Sequence, residues 1–279
     1  MSEKKLEVPK IVDKDLEKGD EVESGDDIFI DQLCEGLETY KKDPRSTFLG
    51  ALMAGLEIGF SFLVVAVCYS FFIDKIDKDT VPYLAAFVYP LGFVLVILGK
   101  SILFTEQTSL LSLPVLSGRR SVGELLRLWG LVISGNLLGG YIIGFIFILV
   151  GPSLGVVSEK GMIALAHHVA HYDYIVIFGS AIIAGWLMAL LSWILSSIKE
   201  TIGQIAVIYI ITFIIGLSGL HHSIVGNIEV FTGLILSPDI SFLTYLTFIV
   251  LALFGNAMGG VVFVGILKYG AFITNKKII

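Results

Sequence analysis

Charged residues are scarce in this chain of 279 residues and make up only 16% of it, against about 25% in a typical soluble domain. Residues 1–45 hold 14 of the 25 acidic and 8 of the 19 basic residues, so the net charge of −6 belongs to that segment. The lack of a basic surface excludes a nucleic-acid binder. A mean hydropathy of +0.87 over this length also excludes a soluble globular protein.

Cysteine is nearly absent as well. The chain has only Cys34 and Cys68, which are too few for a disulfide framework. The first 45 residues are polar and charged rather than basic and then apolar. We therefore expect no signal peptide.

Long apolar runs dominate the rest of the sequence. A helix needs about 20 mainly apolar residues to cross the roughly 30 Å hydrocarbon core of a bilayer. Six runs meet this requirement, at about 47–73, 82–116, 124–150, 172–197, 203–236 and 242–269. The sequence therefore predicts an all-α membrane protein with six transmembrane helices.

The second and fifth runs are too long for one span and contain polar residues, over 100–108 and 218–229. One interpretation is a pair of short helices joined by an aqueous loop, but the remaining flanks, 109–116 and 230–236, are too short to cross a bilayer. A helix broken at membrane depth fits better. Unpaired backbone is tolerated there only inside protein or along a water-filled cavity, so both breaks indicate a permeation site.

Lysine and arginine in the short connections predict the orientation. Ten of these residues lie near the membrane on the side of the termini and three on the opposite side. We therefore expect a multi-pass protein of the cell (inner or plasma) membrane with both termini on the cytoplasmic side. The chain divides into an acidic tail at 1–45, a channel domain at 46–270 and a short basic terminus at 271–279. Residues 30–42 have the spacing of an amphipathic helix, either a membrane-proximal cap or a regulatory element.

Three short patterns occur twice in the same order. They predict two repeats of three helices, at about 46–150 and 172–270, and the odd number inverts the second repeat relative to the first. We assign the glycines in them to close helix packing rather than to ligand binding. The matched patterns are Ala54-Gly55-Leu56 with Ala184-Gly185-Trp186, Leu103-Phe104-Thr105 with Val230-Phe231-Thr232, and Gly135-Asn136-Leu137-Leu138-Gly139-Gly140 with Gly255-Asn256-Ala257-Met258-Gly259-Gly260.

The residues at the two breaks suggest a chemistry. Leu103 and Phe104 precede Thr105, which predicts a narrow apolar constriction beside one hydrogen-bonding point. His221 and His222 are adjacent in the second break, so at most one is expected to face the passage. Histidine titrates near physiological pH and is suited to giving a proton to a weak-acid anion. The neutral acid crosses an apolar constriction far more cheaply than the anion does.

Other polar residues lie in or beside the apolar runs, and their charged members are Glu57, Lys100, Glu106 and Glu229. Because an unpaired charge is costly at this depth, we expect Lys100 to pair with Glu106 or Glu229 and to brace the breaks. The alternative is that Glu106 or Glu229 belongs to a proton path. We assign Lys100, Glu106, His221, Asn227 and Glu229 to polar support of the pore loops.

A histidine cluster precedes the fourth run. His167, His168, His171 and Asp173 have a spacing that invites a metal site, but no cysteine or second ligand group completes one. We therefore expect no metal and no other cofactor. The three histidines are assigned to a solvated, mildly cationic vestibule that gathers anions.

Over about residues 47–270 the chain resembles the formate–nitrite transporter family. The resemblance rests on six spans with the second and fifth broken, on Leu103-Phe104-Thr105, and on the histidine of the second break. Gly219-Leu220-His221-His222-Ser223-Ile224 can be aligned with the family pattern of glycine, aromatic, any residue, histidine, any residue and aliphatic, with Leu220 at the aromatic position. The resemblance implies that His222 is the central histidine. It also implies that Thr105 is the loop threonine and that the constriction positions fall on Leu103, Tyr89, Phe93 and Ile215.

The same resemblance implies an aquaporin-like protomer with its own pore, assembled into a homopentamer that passes formate, nitrite, hydrosulfide or lactate. The chain departs from the family pattern at several positions, and with Lys100, Glu106 and Glu229 it looks like a divergent branch of the family. The asparagine of the fourth span falls on Gly185, the vestibule lysine near Val169, and the asparagine after the central histidine on Gly226. These departures bear on anion attraction and on the substrate more than on the fold.

We expect a channel or transporter for small monovalent weak acids, formate first, that contacts membrane lipids and has no nucleic-acid partner. Thr105 and His222 would bind and protonate the substrate between two constrictions. A pore for small neutral solutes such as water or ammonia is the alternative, although the Asn-Pro-Ala signature of aquaporins is absent. An intramembrane enzyme would need H-E-x-x-H or paired catalytic acids, and neither is present.

Overall fold

The computed structural model describes residues 24–276, and every regular element in that range is helical. Residues 1–23 and 277–279 lie outside the described residues, and with them most of the predicted acidic tail and part of the predicted basic terminus. The helices are α1 (Gly25–Thr39), α2 (Pro44–Phe72), α3 (Val81–Ala85), α4 (Pro90–Leu98), α5 (Phe104–Leu116), α6 (Val122–Val150), α7 (Glu159–Ala170), α8 (Tyr174–Leu195), α9 (Thr201–Leu217), α10 (Ser223–Leu236), α11 (Phe242–Gly259), a π-helix (Gly260–Ile266) and α12 (Leu267–Lys276).

Most of these helices form membrane spans. The fifth predicted run contains α9 and α10, which have 17 and 14 residues and are each too short to cross a bilayer alone. The predicted all-α, multi-pass membrane fold is confirmed. Within the described residues, five helical stretches are long and apolar enough to cross: Pro44–Phe72, Val81–Leu98, Val122–Val150, Tyr174–Leu195 and Phe242–Thr274.

Both long runs break where the sequence predicts. α4 and α5 are separated by residues 99–103, and α9 and α10 by residues 218–222. The second residue of each linker is left-handed, with a φ of 58° at Lys100 and 60° at Gly219. Glycine adopts this conformation readily, whereas a residue with a side chain pays about 1–2 kcal/mol.

The second run has a further interruption that the sequence analysis missed. Its first part is the short helix α3, and α4 begins at Pro90 after a turn over 86–89. Proline has no amide hydrogen and fits the first turn of a helix. Pro90 therefore starts a new helix instead of lying inside a continuous one.

A buried asparagine on α6 holds the first break in place. The Asn136 side-chain oxygen accepts a hydrogen bond from the Phe104 amide at 2.8 Å. Its Nδ2 donates to the Ala51 carbonyl at 2.7 Å and to the Ile102 carbonyl at 2.9 Å. One side chain thus joins α2, the broken linker and the start of α5, and it satisfies backbone groups that the break leaves unpaired.

The second break is held in the same way from α11. The Asn256 side-chain oxygen accepts from the Ser223 amide at 2.8 Å, and its Nδ2 donates to the carbonyls of Ala181 at 2.8 Å and His221 at 3.0 Å. The donors and acceptors correspond one by one to those of the first break. This correspondence reflects the two three-helix repeats of the fold. It pairs Phe104 with Ser223, so the predicted match of Leu103-Phe104-Thr105 with Val230-Phe231-Thr232, which lies in the middle of α10, is wrong.

Glycine allows the helices that carry these asparagines to approach closely. A Cβ placed on Gly55 of α2 would collide with the Asn136 carbonyl, and one on Gly185 of α8 would collide with the Asn256 carbonyl. Close approach of backbones is the usual role of glycine in membrane helices. The predicted packing role of the repeated glycines therefore fits the observed contacts.

The two remaining helices lie at opposite ends of the molecule. α1 begins with a capping box between Ser24 and Asp27 and buries Phe29 and Leu33 against α5, α8 and the π-helix. It therefore packs as a cap on the helical domain. α7 lies in the connection before α8, which the sequence analysis treated as a loop.

These helices define two sides of the protein. On the termini side, the Gln32 amide of α1 donates to the Ser196 hydroxyl after α8 at 2.5 Å. On the α7 side, the Ser158 amide donates to the Ser70 hydroxyl at the end of α2 at 2.8 Å. The termini and the connections after the second and fourth spans thus share one side. An even number of spans, here six, requires this arrangement.

Candidate functional site

The two breaks meet at one hydrogen bond between His222 and Thr105. His222 caps the N-terminus of α10, and Thr105 lies in the first turn of α5. The His222 Nε2 and Thr105 Oγ1 atoms are 2.8 Å apart, and both residues are buried. The structure therefore selects His222, rather than His221, as the histidine that joins the two broken helices.

The hydrogen bonds of His222 define where its ring carries a proton. The Val225 amide donates to Nδ1 at 3.3 Å, so Nδ1 is an acceptor. In a neutral imidazole the proton is then on Nε2, which donates to the Thr105 hydroxyl oxygen. The Thr105 hydrogen is left free to be donated to another acceptor.

Apolar side chains surround this polar pair. The Phe93 ring meets the His222 ring edge-on with centroids 5.0 Å apart, and the Tyr89 ring lies 5.3 Å from that of Phe93. Leu103 and Ile215 are fully buried in the same apolar cluster. The predicted constriction residues are thus brought together around the breaks, and the pore role of each stays a prediction.

Phe104 is placed differently from its predicted neighbours. Its ring packs edge-on against Trp129 of α6, with centroids 5.7 Å apart, and its amide is held by Asn136. The side chain is therefore part of the α5–α6 packing in this structure.

A cavity of about 60 Å³ lies on the α7 side of the polar pair, and His222 forms part of its wall. His168 and Gly219 line both this cavity and a wider outer cavity of about 340 Å³. Among the residues that line the inner cavity there is no lysine or arginine. Its polar and aromatic lining includes Tyr69, Tyr89, His168, His221, His222 and Glu229.

His221 also faces this cavity, but its ring is fixed to other elements. Its Nε2 donates to the Val169 carbonyl at 3.0 Å, and its Nδ1 is held by a short hydrogen bond from the Ser180 hydroxyl. Val169 is near the position at which the family resemblance places a vestibule lysine. His221 is thus tied to α7 and α8, and its predicted support of the pore loops stays a prediction.

The histidine cluster of α7 separates into two parts. His168 lines both cavities, and burial lowers its pKa below the usual value near 6.5. His168 is therefore neutral at pH 7 and adds no positive charge to the inner cavity. His167 and His171 pair with each other, with their Nδ1 atoms 3.1 Å apart. In the part of the chain that the structure describes, no group of three or more His, Cys, Asp or Glu side chains could hold a metal ion.

The predicted pairing of Lys100 stays a prediction, since its positive charge acts on the Glu106 carboxyl group without forming a salt bridge. No ion pair between described residues joins Lys100 to Glu106 or Glu229. The left-handed backbone leaves the Lys100 side chain exposed, and it interacts with Glu35 of α1, where it opposes the rise in pKa that burial causes. Glu229 instead lines the cavity on the α7 side.

Asn227 lies away from the inner cavity. Its side-chain oxygen accepts a hydrogen bond from the Tyr245 hydroxyl at 2.6 Å, so it joins α10 to α11. The roles of Asn136 and Asn256 were not predicted, although the repeated Gly-Asn-x-x-Gly-Gly pattern contains both residues. Tyr69 was not predicted either, because a single aromatic residue in an apolar run gives no signal.

Comparisons with known proteins agree with this architecture. A sequence profile described as "Formate/nitrite transporter" matches residues 27–270. The inner membrane protein YfdC of Escherichia coli (strain K12) is 30% identical over 201 residues, which cover 70% of this chain and 62% of YfdC. The chain therefore spans less than two thirds of the length of that relative.

Two solved structures share the fold. One, described as an FNT family ion channel, superposes with a TM-score of 0.78 at 22% identity, covering 88% of this chain and 98% of that chain. Another, a pentameric formate channel with formate bound, gives a TM-score of 0.71 at 24% identity, covering 82% and 98%. The six-span fold with two broken helices is therefore confirmed. Since the profile matches nearly the whole helical domain, the chain belongs to the formate/nitrite transporter family, whose members are channels and transporters rather than enzymes.

Proposed function

We propose that this protein is a channel for small monovalent weak acids, with formate the first candidate. One observation carries the proposal. The His222–Thr105 contact is a polar point within an apolar buried cluster, and it borders a cavity that leads toward the α7 side. The family match and the formate-bound structural relative support formate among the weak acids. Nitrite, hydrosulfide and lactate are the other candidates.

The assembly and orientation belong to the same proposal. The pentameric structural relative supports a homopentamer in which each protomer has its own passage. The bias of lysine and arginine toward the termini side supports cytoplasmic termini, so that the α7 side faces outward. The exposed apolar side chains of the spans are available to lipid and to neighbouring protomers.

The apolar surroundings favour passage of the neutral acid. An isolated anion loses its hydration in such a constriction at a cost of many kcal/mol, whereas a neutral acid mainly needs hydrogen-bond partners. His222 Nε2–H and the Thr105 hydroxyl are suited to provide them. A second proton on the ring would disrupt the Val225 hydrogen bond to Nδ1. We therefore assign His222 a donor role as a neutral imidazole. The stronger version of the proposal is transfer of a proton to the anion, which requires the ring to be an imidazolium first and so to lose the Val225 hydrogen bond to Nδ1.

The His222→Ala variant tests this role. We expect the wild-type protein in proteoliposomes to take up radiolabelled formate faster at pH 5 than at pH 7. The variant should lose about tenfold or more of this uptake, since it removes a buried donor and a helix cap. A correctly assembled variant with unchanged uptake, or a wild-type flux no faster at pH 5, would contradict the proposal.

A pore for neutral solutes is the second candidate, and one observation favours it. The inner cavity has no lysine or arginine that would attract an anion. Water permeability of the same proteoliposomes, measured by stopped-flow light scattering, separates the two functions. Rapid water flow together with no uptake of labelled formate, nitrite or lactate would favour the neutral-solute pore.

A further inference from the structure

We propose that Glu229 and Tyr69 form a second substrate site in the inner cavity, at which the Glu229 carboxylic acid gives its proton to an incoming weak-acid anion. The ligand is a small monovalent anion of a weak acid, such as a carboxylate. This inference rests on the proposed function and names the group that delivers the proton before the substrate reaches His222.

The cavity brings together two buried polar groups without protein partners. Glu229 is 5% exposed and Tyr69 3% exposed. Among the described residues, no hydrogen bond or ion pair reaches the Glu229 carboxyl group, and the buried Tyr69 hydroxyl has no hydrogen-bond partner. Buried polar groups are normally satisfied, so two such groups on one cavity indicate a place for a polar ligand.

The surroundings of Glu229 leave it suited to exchange protons with a ligand. Besides Tyr69, the titratable groups that line the same cavity are Tyr89, His168, His221 and His222. None of these is a lysine or arginine that would pair with a carboxylate. Three further titratable groups lie on helices that pack against α10. Tyr141 of α6 and Tyr245 of α11 form a hydrogen bond with each other, and Glu106 of α5 does not line the cavity.

The position of Glu229 also fits the proposed order, in which the anion receives a proton before it reaches His222. Glu229 shares the inner cavity with His222, and His168 lines both that cavity and the outer one. An anion arriving from the α7 side therefore reaches Glu229 in the space that adjoins the polar pair. The His222 ring is a poorer proton donor because its Nδ1 accepts the Val225 amide hydrogen.

The proposed proton transfer conserves atoms and charge, and a second proton transfer from the solvent restores Glu229. The O–H bond of the Glu229 carboxylic acid breaks, and an O–H bond forms on the substrate anion, which leaves as the neutral acid. Tyr69 donates its hydroxyl hydrogen to the remaining negative charge, on the anion before transfer and on Glu229 after it. The Glu229 carboxylate then takes a proton from hydronium or a buffer acid that enters through the outer cavity.

Glu229→Gln removes the exchangeable proton and keeps the size of the side chain. We expect radiolabelled formate uptake at pH 7 to fall about tenfold or more relative to wild type, and uptake at pH 5 to stay within about threefold, because undissociated acid already formed in solution still crosses. The matched control is Glu57→Gln, a membrane carboxyl beside Gly99 that does not line the cavity. Its uptake should equal that of wild type at both pH values.

Three results would overturn the assignment. They are a Glu229→Gln pH profile that superimposes on wild type, an equal loss at pH 5 and pH 7 in an assembled protein, and a matching loss in Glu57→Gln. If no formate enters wild-type proteoliposomes at either pH, the proposed function fails as well, which distinguishes that failure from these three.

Tyr69→Phe tests the site without changing the carboxyl group and so remains informative if Glu229→Gln does not assemble. We expect about a threefold to tenfold loss of formate uptake at pH 7, which corresponds to one hydrogen bond to a charged group, and little loss at pH 5. Equal uptake by Tyr69→Phe and wild type at pH 7 would overturn the role of the hydroxyl and the two-residue site.

Discussion

At the residue scale, two asparagine side chains supply the hydrogen bonds that the backbone of a continuous helix would make with itself. Asn136 and Asn256 are each fully buried and each make three hydrogen bonds to backbone groups at a break. An unsatisfied backbone group in the membrane interior costs several kcal/mol. The broken helices, and therefore the contact between Thr105 and His222, depend on these two side chains.

Removing either asparagine should destabilise the protein strongly. We expect Asn136→Ala and Asn256→Ala each to lower the free energy of unfolding by about 2–4 kcal/mol, because three buried hydrogen bonds are lost. Thermal unfolding in detergent would measure the effect. Ser134→Ala is a suitable control, since this exposed hydroxyl bonds only to the Leu131 carbonyl in its own helix. A stability loss no greater than that of the control would show that the breaks do not rely on the asparagines.

At the element scale, the fold depends on how closely α2 approaches α6 and α8 approaches α11. Gly185 of α8 lies against the Asn256 backbone, with no room for a Cβ. Gly179 of the same helix has no atom within 4 Å of the position that a Cβ would take. The two glycines therefore offer a matched pair in one helix.

Alanine at these positions should have opposite effects. Gly185→Ala is expected to cost about 1–3 kcal/mol of stability, since overpacking forces the helices apart. Gly179→Ala should be neutral or stabilising by up to about 1 kcal/mol through helix propensity. Thermal unfolding of both variants under identical detergent conditions measures the difference. Equal effects of the two substitutions would mean that close approach at Gly185 is not required.

The predictability of the fold differs between its elements. Hydropathy was sufficient for the spans because bilayer thickness sets their length, and polar residues marked both breaks. It could not reveal α7, which is short and only partly apolar, or the turn before Pro90. The exposed position of the Lys100 side chain could not be predicted either, because sequence distance carries no information about its left-handed backbone.

At the candidate site, the residues with the most specific local patterns were the most predictable. Thr105 and His222 were identified from the breaks and the family pattern, and the structure brings them together. The neighbours Tyr69 and Ser180 come from distant helices and give no local signal. Their contribution depends on three-dimensional packing, which no single segment of the sequence encodes.

At the scale of the whole molecule, the account requires that the substrate cross as a neutral acid. The proposed passage combines a cavity without lysine or arginine, a buried apolar cluster and one buried polar pair. Such surroundings disfavour a free anion and accept an acid that carries its own proton. Formate and a proton should therefore enter together, and membrane voltage should have little effect on the rate.

The most direct test follows formate and protons together in proteoliposomes at a controlled membrane potential. A pH-sensitive dye in the lumen and radiolabelled formate outside report both movements, and potassium with valinomycin sets the voltage. The account predicts one proton per formate, seen as acidification of the lumen, and an uptake rate that does not change with voltage. Formate uptake that leaves the luminal pH unchanged and accelerates when the lumen is made positive would contradict it.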